Sequence, residues 1–200
     1  MIDESSEAAC LELLATADFM EFHNTGELEA LKQALSDMHK SVALTPRGDP
    51  HLRLRLGRLS EMLDIEYHRL GEATDLDKAI EYYNQMSLME LQGHPDVPKW
   101  LNSLGSLLES QWERLGQPLD LQNAIKHYEL AISVGPPEHS DTLIWVNNLG
   151  SSLQSRSVHL DEFSDLNEAI KYSIQAIAIA PQGHSKMVKW LHTLGFSLMK

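Results

Sequence analysis

Cysteine is almost absent from this chain. The single residue, Cys10, cannot close an internal disulfide. The opening Met1-Ile2-Asp3-Glu4-Ser5-Ser6-Glu7 lacks the basic start and apolar run of a signal peptide. Together these predict a reducing, intracellular and cytoplasmic compartment. Long hydrophobic runs are missing as well: polar residues interrupt every apolar stretch short of the ~20 residues that span a bilayer, so a soluble protein is expected. Basic residues are scarce, 16 Lys and Arg against 29 Asp and Glu, and the net charge of -13 opposes approach to a phosphate backbone or an anionic lipid surface. Neither nucleic acid nor membrane is expected as a partner.

Motifs of metal and nucleotide chemistry are also lacking. There is no His-Glu-x-x-His, no Cys-x-x-Cys, and no cluster of glycines ahead of a helix that could cradle a phosphate. No cofactor, metal or catalytic residue is predicted, and the chain is read as non-enzymatic. Glu61, Asp64 and Glu109 could serve acid–base chemistry, but no nucleophile or oxyanion donor accompanies them, and a solvated acidic face is the simpler reading. Cys10, among Leu11, Leu13 and Leu14, is expected to be a buried structural thiol.

What the sequence does have is a repeat. A shift of 45 residues superposes most landmarks: Leu104-Gly105, Leu149-Gly150 and Leu194-Gly195, with Leu59-Ser60 earlier, and Trp100, Trp145 and Trp190, with Arg55 as the exception. Downstream, Asp75-Leu76-Asp77-Lys78-Ala79-Ile80 matches Asp120-Leu121-Gln122-Asn123-Ala124-Ile125 and Asp165-Leu166-Asn167-Glu168-Ala169-Ile170. Each unit closes on Pro and Gly, which terminate helices. The units run over about 6–50, 51–95, 96–140 and 141–185, with a partial unit 186–200, all in a single repeat domain 1–200.

Within a unit the apolar residues keep helical spacing. Leu101, Leu104, Leu108, Trp112 and Leu115 share one stripe, and Leu121, Ala124, Ile125, Tyr128, Ala131 and Ile132 share another. Each unit is therefore a helix A and a helix B. Helices are predicted near 6–24, 28–44, 52–70, 75–90, 97–115, 120–134, 142–159 and 165–179, with a ninth from 186 onward. Asp120 and Asp165 are placed to cap their B helices. Gly26, Gly71 and Gly116, with Asp161 in the next unit, stand where the chain leaves helix A.

This pattern resembles the tetratricopeptide (TPR) family throughout. Leu104, Gly105 and Leu108 fill the helix A part of its signature, and Ala124, Tyr128, Ala131 and Pro136 fill the helix B part. Leu149, Gly150, Ala169, Ala176 and Pro181 repeat it, and Leu194 and Gly195 begin it again. The unit is longer than the family's usual 34 residues, and Met38 and Ser173 replace the aromatic. The wording Trp-Leu-Asn-Ser-Leu-Gly, then Arg-Leu-Gly, then Asp-Leu-x-x-Ala-Ile, is similar to long TPR arrays of fungal proteins that often carry a CHAT protease domain. The resemblance covers the repeat part alone. It implies an all-α solenoid of antiparallel helix pairs wound as a right-handed superhelix. Small residues such as Gly105 and Ala124 would face each other across a pair so that the backbones can approach.

The resemblance also implies a function: a scaffold that binds a protein or peptide in its concave groove, or alternatively the N-terminal regulatory arm of a larger CHAT-type protease. The groove residues would be Asn102, Ser106, Glu109, Asn147, Ser151 and Gln154 on the A helices. Asn102 and Asn147, one repeat apart, could form a ladder to a peptide backbone, unless the groove is simply polar and solvated. The last helix is apolar on more than one face, and Trp190, Leu194, Phe196 and Leu198 are expected to offer a stacking surface for self-association. His94, His139 and His184 recur once per unit. Residues one repeat apart lie on the order of 10 Å apart, whereas zinc ligands converge to about 2 Å, so these are read as turn residues.

Overall fold

Three glycines set the beat of the chain. Gly26, Gly71 and Gly116 adopt φ of 76°, 75° and 67°, a left-handed conformation that costs other residues about 1 kcal/mol or more. Each donates its N–H back to the preceding helix, to the carbonyls of Phe22, Tyr67 and Trp112 at 2.7 Å, closing helix A in the manner of an αL C-cap. After one intervening residue helix B begins.

The computed structural model describes residues 3–87, 94–136, 141–160 and 163–179, together with Leu191 and Gly195. Its elements are α1 (Glu4–Thr25), α2 (Leu28–Ala43), α3 (His51–Leu70), α4 (Ala73–Ser87), α5 (Val97–Leu115), α6 (Pro118–Val134), α7 (Thr142–His159) and α8 (Phe163–Ile179). Among the described residues there is no strand. The B helices start at Leu28, Ala73, Pro118 and Phe163, so the 45-residue step of the sequence is held without slippage. The expected ninth helix and Asp161 lie outside the described residues, apart from Leu191 and Gly195, which are helical.

The chain forms two compact units, Met1–Gln92 and Gly93–Lys200. In the first, α1 pairs with α2 and α3 with α4, and α2 packs on α3. In the second, α5 pairs with α6 and α7 with α8, and α6 packs on α7. Each B helix turns a fully buried alanine into its pair: Ala34, Ala79, Ala124 and Ala169. Leu31, Leu76 and Leu121 precede it by one turn, and Met38, Tyr83 and Tyr128 follow it, all buried. Ser41 stands where the other B helices carry Met86, Ala131 and Ala176, and its buried hydroxyl donates to the Ala8 carbonyl at 2.7 Å, which satisfies a polar group the core would otherwise penalise.

Two expectations are corrected. Asp120 and Asp165, expected to cap, lie inside the first turn of their helices, as does their equivalent Asp75, because each B helix starts two residues earlier. Residue 117 caps α6 with extended backbone but no side-chain bond, and Pro118 opens the helix, where its missing N–H costs nothing. Cys10 is exposed rather than buried. Its repeat equivalents Arg55, Trp100 and Trp145 are buried, but the face of α1 that carries Cys10 has no described helix upon it.

The close approach at Gly105 is also made differently from the expectation. A β-carbon there would sit 2.7 Å from Cε1 and 2.9 Å from Cδ1 of the Tyr128 ring, so the glycine makes room for an aromatic ring rather than for Ala124. At Gly150 the B helix carries Ser173 in place of the aromatic, and a β-carbon would meet Tyr172 Cβ at 3.4 Å and the Ala169 carbonyl at 3.6 Å, ordinary contact distances. Gly105→Ala is therefore expected to destabilise by ~1–3 kcal/mol through overpacking. Gly150→Ala should be neutral or gain up to about 1 kcal/mol from helix propensity. Urea unfolding of both variants checks this, and equal stabilities would contradict the packing assigned to Tyr128.

Candidate functional site

The outward faces of α5 and α7 carry the six residues expected to line a groove. Asn102, Ser106 and Glu109 follow helical spacing along α5, and Asn147, Ser151 and Gln154 along α7. All six are half-buried. The structure links the two helices through Asn148, the neighbour of Asn147, whose Nδ2 donates to Asn102 Oδ1 at 3.0 Å, a contact that the sequence did not point to. On α5, Glu109 Oε2 accepts from the Tyr128 hydroxyl at 3.2 Å, which draws that carboxylate toward the α5–α6 seam. Gln154 is likewise engaged.

The equivalent place in the first unit is ionic. Glu12 and Arg58 stand one pair of repeats before Asn102 and Asn148, and Glu12 Oε1 meets Arg58 Nη1 at 2.6 Å while its Oε2 meets Arg55 Nε at 2.9 Å. Arg55, only 4% exposed, also donates to Thr45 Oγ1 at 2.5 Å. A guanidinium this deep is tolerated because several of its donors are met. The sequence marked Arg55 as the odd member of the Trp series but gave no sign that Glu12 was its partner.

Further along α3, Asp64 is held above its ordinary pKa, chiefly by burial, with Glu61 adding to the rise and His68 opposing it. His68 Nε2 lies 3.3 Å from Asp64 Oδ1 but off the line of a hydrogen bond, since that oxygen is buried without a hydrogen-bond partner.

A second series runs along the helix A ends. Glu66, Gln111 and Arg156 are repeat equivalents, as are Asp75, Asp120 and Asp165. Arg156 grips Asp165 through Nε and Nη2 at 2.5 and 2.9 Å. Asp120 has no such partner: its Oδ2 is buried without a hydrogen bond, and burial raises its pKa against the opposing charge of Arg114. Glu66 is raised by burial and then by the like charge of Asp75. An open cleft of about 350 Å³ lies beside the Arg156–Asp165 pair, lined also by Pro118, Gln122, Leu160 and Ser164. The arginine in its wall is already committed to Asp165, so the cleft offers no obvious anion site.

Of the recurrent histidines, His94 stacks on Trp100 with centroids 4.7 Å apart, and its Nδ1 accepts from the Asp96 N–H at 3.2 Å. It holds the turn before α5. His139 and His184 lie outside the described residues, as do Pro181, Trp190, Leu194, Phe196 and Leu198. Among the described residues no group of three His, Cys, Asp or Glu side chains could hold a metal, and no helix is long and apolar enough to cross a membrane. The signature positions Leu104, Gly105, Ala124, Tyr128, Ala131, Leu149, Gly150, Ala169 and Ala176 are all buried, and Pro136 follows the end of α6.

No family model matches the chain, and no curated protein matches it. Solved structures do. The chain is similar to a crystal structure of the nearly identical TPR-like repeats of a Podosopora anserina protein described as a kinesin light chain, with 17% identity and a TM-score of 0.67 over 100% of this chain and 88% of that one. A crystal structure of a substituted form of the same repeats gives 16% identity and a TM-score of 0.68 over the same shares. At such identity the likeness concerns the fold, which is that of an all-α, TPR-like helical repeat protein.

The Asp120 environment generates a pH-dependent prediction. A carboxyl whose folded pKa is raised contributes stability that is complete below its unfolded pKa and is lost as pH rises through the folded value. At neutral pH the ionised Asp120 is therefore a liability. Gln111→Arg places a guanidinium where Arg156 stands relative to Asp165, and it should add about 0.5–1 kcal/mol at pH 7 but nothing below about pH 3, where the carboxyl is protonated. Urea unfolding at the two pH values reads this directly, and an equal gain at both would sink it.

Proposed function

We propose that this chain is a non-enzymatic interaction scaffold that binds an extended peptide or a protein segment along the outward faces of α5 and α7. TPR-like folds generally serve as protein-interaction scaffolds, but a fold does not itself assign a function. The observation that carries the reading is the Asn102–Asn148 amide bond. It uses one acceptor and one donor and leaves the Asn102 Nδ2 donor and the Asn148 Oδ1 acceptor for a ligand. Two amides fixed one repeat apart, with half-buried Asn147 and Ser151 beside them, suit the alternating N–H and C=O groups of an extended backbone. The excess of acidic over basic residues favours a neutral or basic segment over an acidic tail. The lone cysteine and the acidic composition accord with a reducing cytoplasm.

The wording of the repeat also supports a second reading, that of a regulatory arm in a larger CHAT-type protease. Peptide mapping of the endogenous protein separates the two, since the second reading requires a protease domain on the same polypeptide as these repeats.

Selection from a displayed random-peptide library against the full chain, followed by calorimetric titration of the enriched peptides, tests the groove. Asn102→Ala is expected to weaken binding roughly tenfold or more, because it removes both a ligand contact and the partner that orients Asn148. Far-UV dichroism should stay unchanged. Peptides that bind Asn102→Ala and Asn147→Ala as tightly as the unmodified chain would place the site elsewhere.

A further inference from the structure

Helix α1 has two apolar faces, and its pairing with α2 accounts for one. Ala8, Ala15 and Phe22 are buried, and the Ala8 carbonyl is bonded by Ser41 of α2. About half a turn away around the helix, Cys10, Leu13, Leu14, Ala17 and Met20 form a second stripe at helical spacing. That stripe is exposed: Leu13 by 71%, Leu14 by 55% and Met20 by 61%, with Cys10 exposed beside them.

The repeat itself says what belongs on such a stripe. The equivalents of Cys10, Leu14 and Ala17 are Arg55, Leu59 and Met62 on α3, and Trp145, Leu149 and Ser152 on α7, and all six are at most 4% exposed. On α3 the covering element is α2, and Thr45, just past the end of α2, accepts a hydrogen bond from Arg55. On α7 it is α6, which packs Ala131 against Trp145. In both cases a B-type amphipathic helix occupies the face. On α1, moreover, Glu4, Glu7, Glu12, Asp18 and Glu21 occur with no Lys or Arg, and Glu7 and Glu21 are exposed at the border of the stripe.

We infer that the exposed stripe of α1 is a docking surface for an amphipathic helix with lysine or arginine beside its apolar face, seated on α1 as α2 sits on α3. This surface is distinct from the outward faces of α5 and α7 and does not depend on them. Apolar burial supplies the attraction, and the acidic border selects for a basic helix.

The sole cysteine of the chain lies in the stripe and reports on its occupancy. The probe is a synthetic peptide of residues 118–136, the helix that covers the same face of α7, carrying Gln122→Lys and Glu129→Lys. The readout is the rate of Cys10 alkylation by iodoacetamide in the full chain. Saturating lysine peptide is expected to slow alkylation about fivefold or more, the unmodified peptide less, and a scrambled peptide not at all. Leu14→Glu, at an exposed position, should abolish the slowing without changing far-UV dichroism. Failure of both helical peptides to slow alkylation, or slowing that survives Leu14→Glu, overturns the assignment. Equal slowing by the two helical peptides overturns its charge component. Slowing that grows with protein concentration and needs no peptide assigns the stripe to a second copy of the chain instead.

Discussion

Everything in each unit depends on how closely two helices of a pair can come where they cross. At that point one helix must carry almost no side chain, and what the other helix presents is then decided locally. Gly105 admits the whole Tyr128 ring, and the ring in turn carries a hydroxyl to Glu109. Ser60, at the same position in α3, bonds its hydroxyl to the Leu56 carbonyl of its own helix and so remains compact. Ala15 and Gly150 complete the series. Dispersion contact at these crossings is individually weak, but it is summed over buried rings and leucines on both helices.

The junction between successive pairs follows a coupled rule. Trp145 lies over Gly135 so closely that a β-carbon on the glycine would overlap the ring. In the first unit the same two places hold Arg55 and Thr45, joined by a hydrogen bond. A threonine under the tryptophan would leave no space, and a glycine opposite the arginine would leave a buried donor without its acceptor. The two members therefore belong together as an apolar or a polar pair, and Glu12 completes the polar version by supplying the counter-charge. The same logic separates Glu12–Arg58 from Asn102–Asn148: one location, an ion pair in one unit and an amide pair in the other.

The period, the helix types and the turns between them were legible in the sequence because they depend on spacing and on single residues with strong backbone preferences. The three left-handed glycines and the buried alanine of every B helix follow from that alone. What was not legible depended on which atom of a distant helix faces a given side chain. Asn147 and Asn148 are both half-buried polar residues of one helix turn, and only the crossing of α5 with α7 selects the second as partner of Asn102. Cys10 has apolar neighbours in sequence, yet its burial hinges on a helix packed from outside the pair. The capping role given to Asp120 failed because the glycine turn needs just one extended residue before helix B can begin, which carries the aspartate into the first turn.

That shift explains why the partner of this aspartate varies so widely along the chain. Inside the first turn of a B helix, Asp75, Asp120 and Asp165 each sit near the positive end of the helix dipole, which favours a carboxylate, although at Asp120 burial outweighs this. The facing position on helix A is thereby released from a fixed charge, and it holds Glu66, Gln111 and Arg156 in turn. Their consequences differ in degree: a raised carboxyl beside a like charge, a buried oxygen without a bond, and a two-bond ion pair. A repeat protein can vary such a position unit by unit because the backbone is held by the crossing and the turn, not by the pair. The position is therefore a place where individual units can acquire distinct electrostatics without altering the register of the fold.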